Sequence, residues 1–154
     1  MKARGVDRVF DVFFLLAILI ISIFCNIGDF TGGSGGKINP LTVAITTIYV
    51  VYCSAFALFS HNRKSIITMT ILGASTLIVA VFGLLISTFR LKIGVIIPFA
   101  IVFLSPFQGL VPVMSSNWTV IYSVIIVICV LWVIFGIFNF RRHHKNIKAN
   151  RNHI

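Results

Sequence analysis

Apolar residues gather into five long stretches, at 9–27, 41–60, 65–88, 93–114 and 118–140, separated by short polar or glycine-rich links. Each holds roughly 19 to 24 residues, and a helix needs about 20 to cross the hydrocarbon core of a bilayer. Lipid offers the backbone no hydrogen-bond partner, so a crossing segment must satisfy its own amides as an α-helix. The pattern predicts an all-α, polytopic integral membrane helical bundle in a single transmembrane domain. It would have four full spans (9–27, 41–60, 65–88 and 118–140), a broken apolar segment at 93–114 and a basic tail at 141–154.

The segment 93–114 differs from the other four. It contains Pro98, Pro106 and Pro112, each of which removes a backbone donor and clashes with the preceding turn. Gln108 and Gly109 follow Pro106, which predicts two half-helices with a break over 105–109, or a strongly kinked span. If the segment turns back, the chain crosses four times with both termini on one side, with ten Lys and Arg there and three opposite. If it crosses, the split is eight to five. Cations favour the cytoplasmic side, so the returning arrangement fits better, yet the segment is long enough to cross and both arrangements stay open. Discontinuous helices expose backbone groups and dipole ends. Pro106, Gln108 and Gly109 are therefore the candidate site for a substrate or ion.

Helices associate in lipid through close packing of small residues. Within 65–88, Gly73, Thr76, Ala80, Gly83 and Ser87 recur at alternating spacings of three and four, one face with the repeat of a left-handed crossing. The stretch 41–60 has a weaker version in Ala44, Thr47, Val51 and Ser54. We expect these two spans to pair closely. In the last span, Tyr122, Cys129, Trp132 and Gly136 mark the side expected to meet other helices, the remaining Ile, Val, Leu and Phe facing lipid.

Composition supports a membrane and narrows the partners. The 154 residues are 58% hydrophobic and 10% charged, against about 25% charged in soluble domains. The formal net charge of +10 would suggest nucleic acid in a soluble protein. Here the cations flank apolar runs, where the positive-inside rule and anionic headgroups account for them, and no nucleic-acid partner is expected. Lys2, Arg4 and Arg8 resemble the basic region of a signal peptide. No small-residue cleavage site follows, and Phe24 stands where a lipoprotein box before Cys25 needs a small residue, so the first stretch is read as a retained span. The glycines between Gly28 and Pro40 make a flexible loop without a phosphate-binding pattern. Asn117-Trp118-Thr119 matches a glycosylation sequon, too near the membrane surface for use.

Chemistry is sparse. Ionisable residues inside a span are the usual pointer to function, and Asp11, near the start of the first span beside Arg8, is the best of them; a structural pair at the interface explains it. Asp29 falls in the glycine loop, His61 in a link, and Arg90 and Lys92 in another. Cys25, Cys53 and Cys129 are scattered and form no CxxC pair, which reads as small apolar residues. His143, His144 and His153 lie in the tail, where nothing fixes a metal geometry. No catalytic residue, cofactor or metal site is expected, and the chain is not read as an enzyme. The expected function is that of a small non-catalytic subunit of a bacterial cytoplasmic membrane, accessory, stabilising or immunity-type, packing against another membrane protein, with its basic tail cytoplasmic. The alternative is a small homo-oligomeric channel or uncoupled transporter using the broken segment.

Overall fold

The computed structural model describes residues 3–32, 39–60, 62–89, 94–114 and 117–151, with the side chains of 12–28, 39–60, 62–89, 95–114 and 117–142. The order is α1 (Ala3–Gly32), α2 (Pro40–Phe59), α3 (Arg63–Phe89), a short 3-10 turn (Gly94–Ile96), α4 (Ile97–Leu104), a 3-10 segment (Ser105–Leu110) and α5 (Trp118–Arg151). α2, α3 and the Trp118–Arg142 part of α5 are long and apolar enough to cross a membrane. Val12–Gly28 within α1 and Ile97–Leu110 are shorter apolar helices. The expectations for Asp11, Asp29, Arg90, Lys92, His61 and the tail histidines concern side chains outside the described residues.

Asparagine starts the helices after the links. Asn39 Oδ1 accepts from Leu41 N–H at 3.1 Å, ahead of Pro40 in the first turn. Asn62 Oδ1 accepts from Lys64 N–H at 3.3 Å and Asn117 Oδ1 from Thr119 N–H at 3.1 Å. Each satisfies an amide that the first turn leaves without an intrahelical partner. The sequon asparagine is thus the N-cap of α5. At the other end α5 continues past its apolar run to Arg151. No proline or glycine interrupts 141–151, elongation is far easier than nucleation, and cations suit a helix C-terminus.

Each long helix buries one narrow stripe. In α1 it is Leu15, Leu19, Ser22 and Asn26; in α2, Thr42, Thr46, Tyr49, Cys53 and Ala57; in α5, Ile121, Ile125, Cys129 and Trp132. These spacings of three and four define one helical face. The opposite faces are apolar and exposed, with Phe24, Val51, Phe59, Ile71, Ile78 and Phe138 among them. So continuous an apolar surface is unlike that of a water-soluble monomer and marks contact with a lipid bilayer.

The closest helix pair corrects one expectation. α3 packs most extensively on α5, and only slightly on α2. Gly73, Thr76, Ala80 and Gly83 are buried, Ser87 partly so, but they receive Trp132, Val133 and Tyr122 of α5. The face read on α2 does not meet α3: Ala44, Thr47 and Val51 are exposed, and Thr47 Oγ1–H donates to its own helix at Val43 O (2.8 Å). The inward face of α2 is instead the Thr42–Thr46–Tyr49–Cys53–Ala57 stripe, which carries the larger contact-forming side chains.

The pairs Gly83 with Tyr122, Gly73 with Trp132, Gly136 with Thr70 and Arg63 with Phe140 run in opposite sequence directions. α3 and α5 are therefore antiparallel. Gly83, Ser87, Ile96, Ile97, Trp118 and Tyr122 border one groove of about 370 Å³. The chain thus leaves α3 and enters α5 at the same end of the bundle. The intervening excursion from Gly94 to Leu110 has eight α-helical residues and nine in 3-10 form.

Candidate functional site

The break falls at the predicted place, with one difference. α4 ends at Leu104 and a 3-10 segment, not a second half-helix, occupies Ser105–Leu110. Pro106 has no amide to give an α-helical ladder, and its ring crowds the carbonyl a turn earlier. The tighter 3-10 winding at the start of such a segment tolerates both. Pro98 likewise sits in the first turn of α4.

Winding the segment this way frees backbone groups, which in an apolar interior must find partners. Side chains of α1 and α2 supply them. Asn26 Nδ2–H donates to Pro106 O at 3.4 Å and to Thr46 Oγ1 at 3.2 Å. Gly109 N–H donates to the same Thr46 Oγ1 at 3.0 Å. Thr46 thus accepts two hydrogen bonds, using both lone pairs of its hydroxyl. Because Pro106 O can only accept, the atom of Asn26 facing it is the amide nitrogen. Asn26 Oδ1 is then left buried without a partner, as is Ser105 Oγ.

Glycine is required at 109 for space. A Cβ there would stand 2.5 Å from Thr42 O and 2.6 Å from Thr46 Oγ1, far inside contact distance. The rest of the segment is equally enclosed, from Ser105 to Gly109. Gln108 is 6% exposed, and its carbonyl accepts from Val111 N–H at 3.1 Å. Phe107 stands edge-on to Tyr49 with ring centroids 5.5 Å apart and lies 6.1 Å from Trp132, whose ring is also 6.1 Å from Tyr49. Trp132 Nε1–H in turn donates to Ser54 Oγ at 3.0 Å. Towards the opposite end of the bundle, Asn139 Nδ2–H reaches Ala57 O at 2.7 Å and Leu58 O at 3.3 Å, holding the last turn of α2.

The structure therefore brings Pro106, Gln108 and Gly109 into one buried polar cluster, and adds Asn26, Thr46 and Ser105, which sequence reasoning did not single out. The available signal was spacing: Asn26 continues the Leu15–Leu19–Ser22 stripe, and Thr42 and Thr46 are one turn apart. Amide, hydroxyl and backbone groups can hold a polar guest by hydrogen bonds. None of these side chains gains or loses a proton in the ordinary pH range, so the cluster as described has no acid or base to offer. Among the described residues no group of three or more His, Cys, Asp or Glu is placed to hold a metal ion. Cys53 and Cys129 are buried free thiols and Cys25 an exposed one. Set against known proteins, the chain matches no family model, no curated protein and no solved structure.

Proposed function

We propose that this chain is a small non-catalytic subunit of a bacterial cytoplasmic membrane, accessory, stabilising or immunity-type, that acts by packing its helices against another membrane protein. The observation that carries the reading is the internal use of polar groups. Pro106 C=O and Gly109 N–H, which a substrate pathway would display, are taken by Asn26 and Thr46. What the molecule presents outward is apolar helix surface. α1, α2, α3 and α5 cross the membrane, and 94–114 enters and returns on one side as a plug. The shared groove of late α3 and early α5 and the ten-to-three charge split support this topology, with both termini and the basic tail cytoplasmic. Reporter tags at the two termini should report the same side; opposite sides would remove the four-crossing arrangement.

The deciding experiment is purification of the tagged chain from native membranes in mild detergent, with composition read by mass spectrometry. A distinct membrane protein in fixed ratio is the expected result. A second reading, a homo-oligomeric channel or uncoupled transporter, draws on the buried unpartnered Asn26 Oδ1 and Ser105 Oγ beside Gln108. A pure homo-oligomer whose vesicles pass ions, with flux lost on Gln108→Leu, would favour it over the first.

A further inference from the structure

A second concavity lies at the far end of the α3–α5 pair, away from the polar cluster. Thr70 and Gly136 touch at its floor, because a glycine on α5 lets the two helices close together there. Ile67, Ile71 and Ile137 form its walls, and Phe140 and Arg141 its outer end. Its volume is about 420 Å³, and its surface is almost wholly apolar. The Arg63 guanidinium lies 5.6 Å above the Phe140 ring, a cation–π contact that keeps a second positive charge beside a lining residue of the groove. Lys64 and Arg142 are exposed nearby in sequence.

This end of the pair has no balancing charge of its own. Neither α3 nor α5 contains an Asp or Glu, and the chain's three acidic residues all precede position 30. An apolar channel running along two membrane helices, with Arg141 in its lining and the Arg63 guanidinium on the ring of the lining residue Phe140, is complementary to one class of molecule, a lipid with a hydrocarbon tail and an anionic phosphate. Guanidinium groups bind phosphate oxygens through paired N–H donors, and basic pockets between membrane helices on the cytoplasmic side are suited to phospholipid headgroups.

We propose that the α3–α5 groove is a binding site for an anionic phospholipid, with an acyl chain against Ile67, Ile71 and Ile137 and the phosphate at Arg141 and Arg63. The site goes beyond the packing role proposed above and does not depend on it. The test is native mass spectrometry of the full chain in mild detergent, titrated with phosphatidylglycerol or with phosphatidylcholine of the same acyl chains. Phosphatidylglycerol should be retained in preference, and Arg141→Gln and Arg63→Gln should each reduce that preference about fivefold, the value of one cation near an anionic headgroup. Arg142→Gln, outside the groove, should leave it nearly unchanged. Ile67→Trp, which fills the channel and keeps every charge, should lower retention of both lipids. Equal retention of the two lipids overturns the proposal, as does an Arg142→Gln loss equal to that of Arg141→Gln, which would mean diffuse surface charge. So does competition by glycerophosphate alone, which would mean a free-phosphate site, or a co-purified protein helix seated in the groove with no lipid retained.

Discussion

Between α3 and α5 the backbones approach over Gly73, Gly83 and Gly136, and the contact is made by shape: rings and branched side chains fill what the glycines leave open. Where the 3-10 segment meets α1 and α2 the contact is made by hydrogen bonds from Asn26 and Gly109. The first joint is adjustable at Gly83, because the atoms facing it belong to the Tyr122 ring. The second is not, because Gly109 faces a backbone carbonyl. Two solutions to the same problem, holding helices together where the hydrophobic effect gives no net pull, therefore tolerate change very differently.

Substitutions grade this contrast. Gly109→Ala should do the most damage. Its Cβ meets Thr42 O, which cannot rotate away, and overpacking of this kind costs about 1–3 kcal/mol; denaturant unfolding of the purified chain in detergent should show a loss near the upper value, together with release of the 3-10 segment to protease. Asn26→Leu comes next. It removes both side-chain donors at the joint, at about 0.6 kcal/mol each and up to about 1.7 for the strongest bonds between membrane helices. If Asn26→Leu proves neutral, hydrogen bonding is not what holds the segment. Gly83→Ala should cost less than Gly109→Ala, about 1 kcal/mol or below, because the atoms in its way belong to the ring end of the half-buried Tyr122. Gly73→Ala should be the mildest, neutral or slightly stabilising, since its Cβ would meet Trp132 and Val133 at 3.4 Å, near ordinary contact, and alanine is the better helix former by up to about 1 kcal/mol. A Gly73→Ala loss as large as that of Gly109→Ala would erase the distinction between the joints.

The same contrast explains what could be read from the chain. The glycine face of α3 is a local, periodic property, so Gly73, Thr76, Ala80 and Gly83 stood out as a packing surface without any structure. Their partner was not legible, because small residues say where a neighbour can come close and not which neighbour comes; the sequence-adjacent α2 was the natural choice and α5 the actual one. The three asparagine caps sat in plain view before each apolar run, Asn117 disguised by the sequon pattern. At the polar joint, Pro106 announced the break, but the close approach at Gly109 did not stand out. Asn26 lies eighty residues from the carbonyl it serves, and no spacing rule connects two such positions. The extension of α5 to Arg151 was hidden for another reason. Hydropathy ends at the membrane surface, whereas helix propagation continues until a residue stops it.

The polar joint also carries a consequence for the order in which the molecule is assembled. A chain is made from its N-terminus onward, and its parts take shape in that order. Asn26 and Thr46 are both in place before Pro106 and Gly109 are synthesised, so the segment least at ease in lipid emerges onto a platform that already holds its hydrogen-bond partners. The glycine face of α3 has the reverse experience: it must wait, uncovered, until the final helix arrives. A chain halted after Leu110 would carry a finished polar joint and an unfinished apolar one, and the open glycines of α3 are where a quality-control protease or a second nascent copy would first find it.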